Sequence, residues 1–178
     1  MGMHNDIQPI VLMTPDPKWC IRGVIEDDID ALRDNLWSDY TITRCRQLIK
    51  RITDAKARNR GLGLIVKEQD SDDAPILAYG QIMMWTHCAE ISDLIVIPEK
   101  QSQGIGTCII QTLTQHVRTL PKIDCVEIGV ASSNPRALSL YRRLGFVDAY
   151  SINLKLQETR EPVMYLRLFF EDYPPTDD

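Results

Sequence analysis

Residues 95–106 read Ile-Val-Ile-Pro-Glu-Lys-Gln-Ser-Gln-Gly-Ile-Gly, an apolar run that breaks into a short polar turn with two glycines. Beyond Gly104 the apolar spacing becomes helical, with Ile105, Cys108, Ile109, Thr112, Leu113 and Val117 on one stripe. The first N–H groups of such a helix have no partner within it, and the helix dipole favours an anion beyond its end. Glycine at 104 and 106 removes the side chains that would hold a phosphate off those amides. The Thr107 hydroxyl adds a further donor. The N–H groups of Gln103, Gly104, Ile105, Gly106 and Thr107 therefore suit a pyrophosphate. A tight strand-to-helix turn with no ligand accounts for the same two glycines. No G-K-[ST] follows, which excludes a Walker loop. Position 109 holds Ile109 where the dinucleotide fingerprint needs a third glycine.

A second constellation runs Asn134-Pro-Arg-Ala-Leu-Ser-Leu-Tyr-Arg-Arg-Leu-Gly-Phe146. Asn134 and Pro135 open a helix as cap and first residue, and Arg142, Arg143 and Gly145 close it. Tyr141 shares a stripe with Ala137, Leu138 and Leu144, so a plain core role is open to it. Upstream, Glu90 and Asp93 interrupt the apolar stretch 89–97. Strand alternation sends them to opposite faces unless a bulge intervenes. Solvent-facing carboxylates are the competing reading for both. His87, His116 and His4 read as surface residues.

Together the two segments resemble the GNAT superfamily of N-acetyltransferases. Gln101, Gly104 and Gly106 meet its coenzyme A turn, [QR]-x-x-G-x-[GA]. Asn134, Ala137, Tyr141, Gly145 and Phe146 meet its later helix, N-x-x-[AS]-x-x-x-Y-x-x-x-G-F. The resemblance implies an acetyl-coenzyme A wedge between stretches 89–97 and 124–131, with Leu94, Ile95 and Val96 offering backbone groups to the pantetheine arm. It implies that Asn134 contacts the coenzyme as well as capping its helix. It makes Tyr141 the candidate general acid for the leaving thiolate and Glu90 the candidate base, acting through water, with Asp93 the runner-up. The acceptor amine, a small molecule or a peptide, is expected against 28–58 and the loop 157–162, with Trp37, Trp85 and Asp93 as candidate contacts. A stretch at 32–39, with Asp34, Trp37 and Asp39, resembles part of some aminoglycoside acetyltransferases, so an amino sugar is one alternative acceptor. A non-catalytic acyl-coenzyme-A sensor or scaffold is the alternative from another class, and an unrelated α/β binding protein a third. Homodimerisation is common for this fold.

The elements that must position these residues alternate along the chain. Strands are expected at 19–25, 63–68, 76–85, 89–97, 124–131, 146–156 and 163–170, and helices from 27 or 28 to 37, over 43–58, from 105, and from 135. The order β-αα-βββ-α-β-α-ββ is an α/β chain with a mixed sheet flanked by helices. The continuously apolar end of 89–97 suggests a strand covered on both faces. The Asp-rich stretch 69–75 makes 63–68 and 76–85 an antiparallel hairpin. Residues 1–17 read as a loose arm, 18–172 as one domain and 173–178 as a frayed tail.

A chain of 178 residues with 44% hydrophobic content supports one domain with a real core. A net charge of -5 argues against a general nucleic-acid binder. The five cysteines show no C-x-x-C pair and no metal-ligand spacing, and they read as buried free thiols of a reducing compartment. No stretch is apolar enough to span a membrane and none starts like a secretory signal, so a cytoplasmic protein without metal is expected.

Overall fold

A computed structural model describes residues 11–12, 19–69, 71, 74–156 and 159–170 of the chain. The strands are β1 Val11–Leu12, β2 Cys20–Gly23, β3 Gly61–Lys67, β4 Ile76–Met84, β5 Cys88–Val96, β6 Cys125–Ala131, β7 Val147–Leu156 and β8 Thr159–Phe169. The α-helices are α1 Ile29–Asn35, α2 Ile42–Ala57, α3 Ile105–Arg118 and α4 Pro135–Arg143. They form one eight-stranded sheet in the order β1-β2-β3-β4-β5-β6-β8-β7. Every neighbouring pair is antiparallel except β5 and β6, which are parallel and joined through α3. The expected order holds, with a two-residue strand added at Val11–Leu12. The rest of the expected arm and the whole tail lie outside the described residues.

Periodicity explains which helix covers which face. In α2, Cys45, Ile49, Ile52 and Ala55 are buried at helical spacing. With α1 they pack on the face that presents Ile65 and Tyr79. In α3, Ile105, Cys108, Ile109, Leu113 and Val117 pack on the other face against Leu64, Ala78, Ile82 and Ile91. Each fully buried Leu or Ile contributes roughly 1.5–3 kcal/mol, so these two layers hold the sheet together. The strands covered on both faces are β3 and β4, whose residues are buried almost without exception. That corrects the expectation for 89–97: the far half of β5 is only partly buried. Its pairing with β6 stops at Ile91 and Ile128, so one edge has no neighbouring strand beyond that point.

From sequence, Asp27 or Asp28 is expected to cap the first helix. Asp28 makes no cap bond to α1. It accepts two hydrogen bonds from Arg22 at 2.7 and 2.8 Å and one from the Ile25 N–H at 2.9 Å. A buried guanidinium demands such a partner more strongly than a helix end demands a cap. Thr41 and Asn134 do cap their helices, accepting from the N–H groups of Arg44 and Ala137.

Gly80 lets α3 approach β4. A Cβ there would stand 2.7 Å from Ile109 Cγ2 and 3.1 Å from Leu94 Cδ1. Alanine relieves the strand of glycine's entropy, worth about 0.5–1 kcal/mol, but the clash costs about 1–3 kcal/mol and wins. Gly80→Ala is therefore expected to lower the thermal midpoint by several degrees. Calorimetric unfolding of the two proteins checks this, and an unchanged midpoint would show that α3 shifts freely.

Candidate functional site

The site begins with a bulge in β5. Gln81 pairs with Ser92 but Tyr79 pairs with Ile95, so β5 carries one extra residue there. The extra residue is Asp93, at φ 52. Its carboxylate accepts from Gln81 Nε2 at 2.7 Å, while Gln81 also donates to Ser92 Oγ at 3.1 Å and accepts from the Tyr79 hydroxyl at 2.8 Å. The bulge reverses the phase of the strand. Glu90 and Ser92 lie on the α1/α2 face, opposite Met83 and Gln81. Leu94 and Val96 turn to the α3 face and pack against its core, whereas Ile95 returns to the α1/α2 side.

Beyond the bulge the chain enters the glycine turn. Ser102 and Gly104 take positive φ, 66 and 90, and α3 starts at Ile105 with no side-chain cap. A Cβ on Gly104 would find nothing within 4 Å, and one on Gly106 would meet only Val96 Cγ2 at 3.9 Å. The space over the helix start is open, and the unpaired amides of the first turn face it. This open space belongs to a cavity of about 790 Å³. Leu94, Val96, Gln101, Gly104, Gly106, Thr107, Asn134 and Tyr141 all line it, eight of the positions that the sequence singled out. The side chains of Ile95, Gln103 and Ile105 do not. Ile105 is buried in the core, and Gln103 Nε2 donates back to the Glu99 carbonyl at 3.1 Å. Only the main-chain groups of these three remain for a ligand. Gln101 Nε2 donates to the Val96 carbonyl at 3.1 Å and so fixes the turn to the strand end.

The sequence reading missed the cations. Lys100, which is ion-paired with Glu68, and Arg136 and Arg143 line the same cavity, and none of the lining residues is acidic. Arg143 reads in sequence as a helix-end residue, a role that hides any second one. Charge and amide geometry thus fit a diphosphate. A second depression of about 640 Å³, lined by Thr114, Arg118, Leu144, Phe146 and others, shares no residue with it.

Tyr141 closes the inner end. Only 7% of it is exposed, and its ring lies 6.3 Å from that of Phe146. Burial raises its phenol above the ordinary tyrosine value, which keeps the proton on it at neutral pH.

On the other sheet face Glu90 accepts from Trp85 Nε1 at 3.4 Å. Its register partner on β6 is Glu127, a residue absent from the sequence-based candidates. Glu127 accepts from the Tyr150 hydroxyl at 2.8 Å and from Arg167 Nε at 2.7 Å. Tyr165 lies against Gly129, where an added Cβ would come within 3.1 Å of the ring. It stacks on Tyr150 at 4.9 Å between centroids. Burial, then Glu90 and Glu127, raises its phenol. This acidic, aromatic patch comes from four strands, and no local motif announces it.

One expected acceptor contact changes. Trp37 is 7% exposed, stacks on Tyr40 and meets Tyr79 edge-on, so it belongs to the core under α1 and α2. Asp93 accepts from Gln81 with one carboxylate oxygen and is exposed. Trp85 is 57% exposed and available. Of the expected loop 157–162, residues 157 and 158 lie outside the described residues. Among the described residues no group of His, Cys, Asp and Glu forms a metal site, and no helix is long and apolar enough to cross a membrane.

Comparison with solved structures shows the same fold. An acetyltransferase from Salmonella typhimurium that modifies the N-terminal serine of ribosomal protein L7/L12 aligns with a TM-score of 0.76 at 14% identity, over 88% of this chain and 97% of that one. An apo form of RimL, a ribosomal L7/L12 alpha-N-protein acetyltransferase, gives 0.79 at 13%, over 95% and 99%. Spermidine N-acetyltransferase from Vibrio cholerae, in complex with CoA and spermine, gives 0.69 at 15%, over 86% and 96%. No curated protein matches the sequence. A family model described as the acetyltransferase (GNAT) family matches residues 29–146. The bulged strand, the glycine turn and the buried tyrosine all fall inside that span, and the chain belongs to the GNAT family of acetyltransferases.

Proposed function

We propose that the chain moves the acetyl group of acetyl-coenzyme A directly to a primary amine that approaches from the Glu90 face of the sheet. The observation that carries this reading is the cavity that joins Leu94, Val96, the glycine turn and Tyr141. The amides of Gln103, Gly104, Ile105, Gly106 and Thr107, with Lys100 and Arg136, would hold the diphosphate. The unpaired edge of β5 would take the pantetheine arm as an added strand. When bound, the coenzyme supplies the thioester acetyl group. A main-chain N–H on the β5 edge is placed to steady the thioester oxygen as it gains charge. Tyr141 is the candidate donor of the proton that the departing thiol takes up.

The acceptor side supports a cationic amine. Glu90 and Glu127 are register partners on neighbouring strands, with Trp85 and Tyr165 beside them; Arg167 balances Glu127, so the carboxylate of Glu90 carries the attraction. An ammonium is attracted to that patch and must lose a proton there before it attacks. Structural neighbours that act on spermidine or on a protein N-terminus are consistent with either a small or a peptide acceptor.

The test is thiol release from acetyl-coenzyme A with a panel of polyamines, amino sugars, amino acids and peptide N-termini. Turnover with at least one cationic amine is expected. Tight coenzyme binding without turnover across the panel would instead favour a sensor. Glu90→Gln is expected to slow turnover about tenfold to a hundredfold at neutral pH. The deficit should shrink at higher pH, where the amine deprotonates unaided. A deficit independent of pH would show that Glu90 positions the acceptor and does not take its proton.

A further inference from the structure

Cys88 and Cys125 are 37 residues apart in sequence but opposite each other in the sheet. They are register partners at the start of the parallel pair β5–β6, and both side chains lie on the face of Glu90 and Glu127. Their Sγ atoms are 2.8 Å apart. A hydrogen bond from the Asp124 N–H to the His87 carbonyl, 2.8 Å, pins the strands one residue earlier. Neighbouring strands run about 4.8 Å apart, inside the span of about 4.4–6.8 Å between Cα atoms that a disulfide bridges.

We infer that Cys88 and Cys125 form a redox-active dithiol, a site that a peroxide converts into an intrachain disulfide. One thiolate attacks a peroxide oxygen and breaks the O–O bond, giving a sulfenic acid and releasing water or an alcohol. The other sulfur then attacks the sulfenic sulfur and displaces water, its proton leaving with the oxygen. Two thiols are oxidised by two electrons and one peroxide is reduced. Cys125 is suited to the first step. The hydrogen bond it shares with Cys88, helped by the Arg167 guanidinium and opposed by burial, holds its thiol below the ordinary value. The proton that Cys125 sheds goes to solvent, while Cys88 keeps its own, its thiol raised by that same hydrogen bond and by burial. Cys88 is the more exposed of the two and gives the peroxide its way in. Cys45 and Cys108 are buried.

The native protein is treated with hydrogen peroxide, alkylated, and digested with trypsin without reduction. Cleavage after Arg and Lys leaves the five cysteines on five different peptides. The expected result is loss of two of the five thiols together and a peptide pair joining 68–100 to 123–136, two hydrogens lighter than its parts and separated again by dithiothreitol. In Cys88→Ser, Cys125 should stop at a sulfenic acid that dimedone traps. Recovery of both cysteines as alkylated peptides would overturn the inference. So would the same cross-link forming as fast in urea, where the strands no longer hold the pair.

Discussion

Replacing Gly106 with leucine is expected to lower affinity for coenzyme A more than about a hundredfold while the thermal midpoint stays level or rises slightly. A Cβ at this position has only Val96 Cγ2 nearby, at 3.9 Å, so the first side-chain carbon meets no steric barrier in the protein itself. Glycine within a helix costs up to about 1 kcal/mol relative to residues such as leucine, although less in a first turn. The added isobutyl group grows into the cavity over the first-turn amides. Hydrogen bonds to a charged group are worth about 1.5–3 kcal/mol each, and displacement of two of them exceeds the roughly 2.7 kcal/mol that a hundredfold represents. Calorimetric titration with coenzyme A and thermal unfolding, run on both proteins, separate the two effects. Affinity within threefold of the parent would place the diphosphate elsewhere.

The second large effect is expected at Tyr141. Tyr141→Phe keeps the ring against Phe146 and removes one oxygen. Turnover should fall by about a hundredfold or more, since proton transfer in the transition state contributes about 10²–10⁴-fold. Coenzyme affinity and the thermal midpoint should hardly move. The pH profile gives an independent reading. Burial raises the phenol, so the protonated acid persists into alkaline solution and is lost only above the ordinary tyrosine range. The parent should therefore lose activity at the alkaline extreme, and Tyr141→Phe should lack that limb. Turnover within threefold of the parent would reduce Tyr141 to packing.

Much of the site was legible because its pieces are local. A strand, a turn and a helix start occur within twelve residues, and glycine at 104 has a steric reason, φ 90, that other side chains meet only under strain. The cap at Asn134 and the stop at Gly145 were readable for the same reason. What failed was non-local. Trp37 already fitted a buried stripe with Ile29, Leu32 and Leu36; a resemblance drew it outward, and the stripe proved the better guide. Glu127, Arg167, Tyr150 and Tyr165 meet only because of the β6–β8–β7 register, which no short pattern encodes. The pairing of Cys88 with Cys125 is hidden for the same reason. Asp93 is intermediate: aspartate tolerates positive φ better than most residues, but an aspartate in an apolar strand does not announce a bulge.

The extra residue at Asp93 makes the odd or even length of β5 matter. On its near side Glu90 serves one surface of the sheet; on its far side Leu94 and Val96 serve the other. Deleting Asp93 would leave a regular strand in which Leu94 follows Ser92 directly, so Ile95 stays opposite Tyr79 and Leu94 and Val96 stay on the cavity side. Loss of the Asp93 codon is therefore expected to keep both surfaces in register and to remove only the bulge, whereas one further inserted residue would need a second bulge or would turn Leu94 and Val96 away from the cavity.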